Sequence, residues 1–287
     1  MRRRVWCETL TLNEVTAPPV LALLVRYRLE LLLAVRPWQL AELPAALHEL
    51  RGHGVPVAAW PMLADQDGRW ASVTTSAAFV ALVDAVVNAC PELDELVLDL
   101  EPPLSTLRAW QRGRRAPRLP GAPIATYAGA ERALVAAIQR WAVGGTRRRI
   151  TTALMPPVLL DGPRALIQRA LGTPALALPV DGHSVMAYTS MLEGWSHGLV
   201  DRRRAEGLLA LCARSARRRL GDRAGLSLGA VGPGAFGDEP AYRAPGELAR
   251  DVAIARSAGI DDLSLFELGG TLRRGDPDAW LAAFVAD

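Results

Sequence analysis

Apolar positions along this chain follow two alternating rhythms. Short apolar runs at residues 5–12, 29–35, 55–60, 149–155, 184–188, 226–231 and 262–268, together with the run that opens the 93–103 stretch, have the length and continuity of buried parallel strands. Between them, apolar residues return every three or four positions over 19–26, 38–50, 75–89, 129–143, 162–171, 199–220, 246–257 and 276–286, the spacing of helices with one buried face. Pro18-Pro19 opens the first of these helices and glycines close others, as Gly52 and Gly54 do after 38–50 and Gly144-Gly145 after 129–143. The Arg-, Pro- and Gly-rich segment 108–121 reads as a solvated loop or a short lid. Eight strand-then-helix units in 287 residues predict parallel pairing, right-handed crossovers and closure into a (β/α)8 TIM barrel. An open doubly wound sheet is the alternative. Against it, no strand-to-helix turn carries Gly-x-Gly-x-x-Gly or a Gly-Lys-Ser/Thr phosphate loop. No internal repeat and no long linker interrupts the pattern, so the expectation is one barrel domain over 1–287.

In such a barrel, function collects at the C-terminal ends of the strands. The fourth run, Leu93-Asp94-Glu95-Leu96-Val97-Leu98-Asp99-Leu100-Glu101-Pro102-Pro103, turns acidic at that end and is stopped by two prolines. Side chains alternate along a strand, so Asp99 and Glu101 share a face with α-carbons roughly 6–7 Å apart. The other predicted strand ends add Glu8, Trp60, Met155, Tyr188 and Glu267. Carboxylates with a phenol and an indole suit a carbohydrate: aromatic faces stack on the apolar faces of sugar rings while carboxylates accept from hydroxyls. Cleaving a glycosidic bond needs an acid for the leaving oxygen and a second group for the oxocarbenium-like centre. Glu101 is the natural acid, because crowding by Asp99 raises the pKa of one member of the pair.

Composition narrows the alternatives. The formal net charge is only +3, and all 33 basic residues are arginine with acids interspersed, a pattern of coding bias that implies no nucleic-acid partner. Cys7, Cys90 and Cys212 are too scattered for a disulfide framework or a zinc site, and His48, His53, His183 and His197 do not cluster, so neither metal nor cofactor is expected. Met1-Arg2-Arg3-Arg4 has the charge of a leader's start, but Glu8, Asn13 and Glu14 precede any apolar core. No run approaches a membrane span. The expectation is a soluble cytoplasmic protein with no membrane partner and a carbohydrate or glycoconjugate substrate; nothing in the pattern sets an oligomeric state.

The fourth-strand segment Asp94-Glu95-Leu96-Val97-Leu98-Asp99-Leu100-Glu101 is similar to the Asp-x-x-Asp-x-Asp-x-Glu strand of chitinase-like barrels of glycoside hydrolase family 18. The sixth-strand segment Met186-Ala187-Tyr188 resembles that family's Met-x-Tyr. The resemblance implies that Glu101 is the general acid, and that Asp99 and Tyr188 support a reacting N-acetyl group in substrate-assisted cleavage. Val97 stands where the family has its inner aspartate, Val57-Ala58-Ala59-Trp60 where it has Ser-x-Gly-Gly, and Phe266-Glu267 in its eighth-strand tryptophan region. Two other functions fit the same residues: a carbohydrate-binding barrel without catalysis, and a magnesium- or manganese-dependent lyase or isomerase using Glu8, Asp99, Glu101 and Glu267 as oxygen ligands.

Overall fold

A computed structural model describes residues 1–112, 122–143 and 147–286. In chain order the elements are β1 (Arg2–Cys7), α1 (Leu12–Val15), α2 (Pro18–Arg26), β2 (Glu30–Val35), α3 (Leu43–Gly52), β3 (Val57–Pro61), α4 (Ser76–Ala89), β4 (Glu95–Leu100), α5 (Leu104–Gln111), α6 (Ile124–Ala142), β5 (Arg149–Leu154), α7 (Leu166–Leu171), β6 (Gly182–Met186), α8 (Thr189–Trp195), α9 (Arg202–Leu220), β7 (Ala224–Gly229), α10 (Pro245–Ser257), β8 (Asp262–Phe266), α11 (Leu268–Leu272) and α12 (Pro277–Val285). The strands close in sequence order, β1 through β8, into a (β/α)8 barrel. This is the fold that the alternating rhythm predicts. Residues 113–121, most of the loop-or-lid segment, and the Gly144-Gly145 stop lie outside the described residues; the start of that segment, expected as loop, is helical in α5.

The strands form because their runs are buried on both faces: every residue of β4 and of β7 is buried. Local chemistry fixes where helices begin. Thr11 and Glu14 make a reciprocal capping box at α1, Asp201 accepts from the Arg204 amide at 2.8 Å, and Asp276 accepts from the Ala279 amide at 3.0 Å. Prolines occupy the first positions of α2, α10 and α12, where a missing amide hydrogen removes no bond.

Two compact groupings of residues stand out. The first comprises residues 1–33, 45–57 and those from 183 on. Its interior carries a polar layer: the Trp6 indole donates to Ser227 Oγ at 2.8 Å and Ser264 Oγ at 3.0 Å, and Ser264 meets Ser184 at 3.1 Å. The second comprises residues 34–44 and 58–182. Here β4 and β5 pair in parallel over their full length, Glu95 with Arg149 through Leu100 with Leu154. The buried Arg148 guanidinium donates to the carbonyls of Leu93, Trp141 and Pro91, at 2.7, 2.7 and 3.0 Å, tying the turn before β5 to the turn before β4.

Several boundaries differ from the sequence expectation. β1 ends at Cys7 instead of residue 12, because Thr11 caps a helical turn that the apolar run conceals. β6 stops at Met186, two residues before Tyr188, which is the residue preceding α8. The helix expected over 38–50 is a 3₁₀ turn at Pro37–Gln39 followed by α3. Among the described residues no helix is long and apolar enough to cross a membrane.

Candidate active site

The acidic end of β4 sits in the second grouping. Asp99 is 2 % exposed, whereas Glu101, one residue past the strand, is half-buried. Trp60, near the end of β3, donates its indole N–H to Asp99 Oδ2 at 3.2 Å. The loop after β3 is laced to β4: the Ala71 amide donates to the Asp99 carbonyl at 2.9 Å, and the Leu104 amide at the start of α5 donates to the Gly68 carbonyl at 3.2 Å. Within the loop, the Leu63 amide bonds the Arg69 carbonyl at 2.9 Å, and Thr75 Oγ1 bonds the Trp70 carbonyl at 2.5 Å.

Holding a loop this tightly places a charge. Arg69 is 4 % exposed and adopts a left-handed backbone with φ of 69°. Its guanidinium pairs with Asp65 and lies 5.5 Å from the ring centroid of Trp70. Asp65 also accepts from Arg36 at 3.3 Å, and Arg36 donates to the Leu63 carbonyl at 2.6 Å. Arg69 acts electrostatically on both Asp99 and Glu101.

Burial pushes both carboxyls up. Asp99 rises to about 7 because burial disfavours its charge, against the opposing pull of the Trp60 donor, Arg69 and a hydrogen bond from Glu101. Glu101 rises well above the usual carboxylate range, first through desolvation and then through the negative charge of Asp99. One member of the pair therefore keeps its proton to higher pH than a free carboxyl does. The arrangement supplies a protonated carboxyl beside a carboxylate near neutral pH, the division of labour that acid-assisted bond cleavage requires. Val97 is fully buried two residues before Asp99. Met155, just past β5, is half-buried and precedes a 3₁₀ turn at Pro156–Leu160.

The remaining predicted site residues belong to the first grouping. Glu267, expected at a strand end, follows β8 and is wholly buried. Its carboxylate caps α11: Oε2 accepts from the Gly269 amide at 3.0 Å, and Oε1 accepts from the Gly270 amide, from Thr9 at 3.0 Å and from Arg273 at 3.2 Å. Both its oxygens are thus engaged by the protein. Glu8 lies one residue beyond β1, with Gly234 so near that an added Cβ there would come within 3.1 Å of Oε2. Tyr188 meets Ser227 Oγ through its hydroxyl at 3.0 Å and packs its ring against Phe266, with centroids 5.4 Å apart. Among the described residues, no three His, Cys, Asp or Glu side chains group closely enough to hold a metal ion.

Neither a family model nor a curated protein matches the chain. Solved structures do. The PgaB (BpsB) glycoside hydrolase domain from Bordetella bronchiseptica superposes with a TM-score of 0.60 at 13% identity, covering 100% of this chain and 99% of that one. The catalytic domain of a family GH18 chitinase from the fern Peteris ryukyuensis gives a TM-score of 0.55 at 12% identity, covering 99% and 97%. The likeness is distant and is one of fold. A D-allulose 3-epimerase from Methylomonas sp. shares the same architecture with a TM-score of 0.52 at 15% identity, covering 93% and 84%.

Arg36, Asp65 and Arg69 were not foreseeable as a group from sequence. They lie in stretches without periodicity, where a charged residue reads as solvated loop. Gly68 was the available signal. It has φ of 100°, and a Cβ there would come within 2.6 Å of Thr75 Cγ2, so the turn that presents Arg69 requires glycine.

Proposed function

We propose that this protein is a glycoside hydrolase that cleaves a glycosidic bond with Glu101 as general acid and Asp99 as its anionic partner. The observation that carries the reading is the Asp99–Glu101 pair at the end of β4, Asp99 buried and Glu101 half-buried, both carboxyls pushed up and the Trp60 indole donating to Asp99. Glu101 protonates the leaving oxygen. Asp99 stays ionised and offsets positive charge as it develops at the sugar's anomeric carbon or on a neighbouring acetamido group. Trp60 fixes the rotamer of Asp99 through its N–H. Support comes also from the fold shared with the glycoside hydrolase domain and the chitinase named above, and from the Asp-x-Glu and Met-x-Tyr segments. Tyr188 enters the proposal on the second of those segments alone, and Glu8, Met155 and Glu267 only as strand-end residues.

The test exploits leaving-group chemistry. Wild-type protein is assayed on aryl glycosides whose phenols span a wide range of acidity. A good leaving group needs little protonation. Glu101→Gln is therefore expected to lose about 10²–10⁴-fold in kcat/KM on the least acidic phenols and far less on the most acidic. No turnover by wild type across the panel, or a loss that ignores the leaving group, sinks the assignment.

A second reading, a sugar epimerase or isomerase, draws on the likeness to the D-allulose 3-epimerase. Interconversion of free ketohexoses by wild-type protein, with no release of phenol from any glycoside, would favour it.

A further inference from the structure

Seven arginines fall within the 19 residues of α9, where Glu206 is the only acid. Glu206 is already engaged: it accepts from Arg202 and from Arg250, both at 2.9 Å. Acids on the flanking helices are engaged as well, Glu193 and Glu247 by Arg243 and Asp251 by Arg202. The other arginines crowd the solvent side. At about 3.6 residues per turn, Arg203, Arg204, Leu208, Leu211, Arg214 and Arg218 fall away from the buried stripe of Ala205, Leu209, Ala213, Ala216 and Leu220, and all six are exposed. Among the described residues, Arg203, Arg214, Arg218 and Arg219 pair with no carboxylate; Arg204 reaches only the exposed Asp201, at 4.0 Å.

Cations in the last turn of a helix complement its dipole, which accounts for Arg217 to Arg219. Arg203 and Arg204 stand in the first turn, at the positive end, where a cation is unfavourable. Between the two basic ends lie Leu208 and Leu211, 43% and 54% exposed, and Leu199 is exposed in the turn before the helix, with its carbonyl held by Arg204 at 2.8 Å. A nucleic acid would use the arginines and leave the leucines in water. A lipid surface uses both.

We propose that the solvent face of α9 docks on an anionic phospholipid surface: Leu208 and Leu211 enter the boundary of the acyl layer while the arginines at both ends of the helix lie against lipid phosphates. Arg203 and Arg219 are about 24 Å apart along the axis at roughly 1.5 Å per residue, so both ends meet phosphates of one leaflet with the leucines between them. The arginine stems lie along apolar surface and their planar heads bind phosphate oxygens in pairs. Charge also orients the encounter. α9 carries +6, so the rest of a chain with an overall formal charge of +3 sums to −3, and an anionic surface attracts this helix above the remainder. A helix that lies on a bilayer needs no spanning run, so the absence of a spanning helix among the described residues does not bear on this face.

The experiment is co-sedimentation of the full chain with vesicles of phosphatidylcholine, with and without phosphatidylserine. Wild type is expected to pellet with the phosphatidylserine vesicles only, and to be released as ionic strength rises above about 0.15 M. An arginine near an anionic surface contributes about fivefold to partitioning, so Arg203→Gln with Arg218→Gln is expected to weaken binding about 25-fold. Leu208→Ser with Leu211→Ser, which leaves the charge in place, is expected to weaken it about tenfold or more. Arg132→Gln with Arg164→Gln removes the same charge from exposed positions outside α9 and is expected to change binding less than about twofold. All the substituted side chains are exposed, so each variant should unfold at the wild-type temperature. Wild type that stays in the supernatant with phosphatidylserine vesicles overturns the proposal. So does a leucine variant that pellets like wild type, which is what a surface reading charge alone would give, or a control pair that weakens binding as much as the α9 pair. A wild-type dimer that the leucine variant dissolves, in place of vesicle binding, overturns it in favour of a second copy of the chain on this face.

Discussion

At Asp99 two demands compete. Burial opposes its charge, whereas the indole of Trp60 and the guanidinium of Arg69 favour it, and the balance leaves the carboxyl at about 7, far above an unfolded aspartate. A carboxyl whose folded pKa is raised binds its proton more tightly in the folded state. Its contribution is therefore favourable at low pH and is lost as pH rises from near 4 to near 7. The loss amounts to about 4 kcal/mol if Asp99 titrates alone, and less where Glu101 shares the proton. Asp99→Asn is expected to flatten that stretch of the stability curve and to gain on wild type at pH 8. Urea unfolding at pH 4 and pH 8 measures it, and an unchanged slope would place the carboxyl at an ordinary pKa. Trp60→Phe should act in the opposite sense on the site: with the N–H gone, Asp99 ionises at higher pH and the acid limb of any activity moves up with it. The two carboxylates were readable in sequence because strand alternation alone puts Asp99 and Glu101 on one face. Arg69 was not, since nothing in a run such as Asp65-Gln66-Asp67-Gly68-Arg69 distinguishes a buried cation from a solvated one.

At the scale of elements, the β3–α4 connection is the segment whose geometry the site depends on. Gly68 and Arg69 have successive φ values of 100° and 69°, a conformation that L-residues with a Cβ adopt at a cost of about 1–2 kcal/mol each. At Gly68 a side chain would meet a second obstacle, the Thr75 methyl, 2.6 Å from where its Cβ would lie. Gly68→Ala is expected to lower stability by about 1–3 kcal/mol and to disturb Asp99 titration as well, because the same turn aims Arg69. Thermal unfolding and the carboxyl titration report the two effects separately; a stable Gly68→Ala protein with a shifted titration would show that the turn can yield without unfolding. Helix and strand order was evident from periodicity, and the ends were not. β1 stops early because Thr11 caps a helical turn whose first residue, Leu12, extends the apolar run, and β6 ends at Met186 with Tyr188 as the residue that precedes α8. The shift places Glu8 and Tyr188 beyond their strands. Glu267 changes meaning for the same reason: at a strand end it reads as a ligand, whereas two residues before Gly269 it is a helix cap.

At the scale of the whole molecule, eight alternating units imply a closed barrel, but they do not say how the first strand meets the last. That seam is built on charge at the N-terminal ends of the strands. β1 pairs with β2 on one side, Arg4 opposite Glu30, and with β8 on the other, Arg4 opposite Ser264. Arg4 is 1 % exposed and faces two carboxylates at the starts of its neighbours, Glu30 and Asp262, each at 3.8 Å, and Arg2 pairs with the same two acids. A buried guanidinium is tolerable only while its counter-charges remain, so removing both acids costs far more than the ion pairs themselves contribute. Glu30→Gln with Asp262→Asn is expected to destabilise the protein by about 3–5 kcal/mol, and at this chain length each kcal/mol lowers Tm by roughly 2–4 °C. Adding Arg4→Met to that pair replaces the stranded cation by an apolar chain of similar length and should recover part of the loss. Recovery identifies the seam as a charge-balance device; a triple variant less stable than the double would mean that Arg4 holds β1 through its shape and donors instead of its charge, and that closure depends on packing at that end.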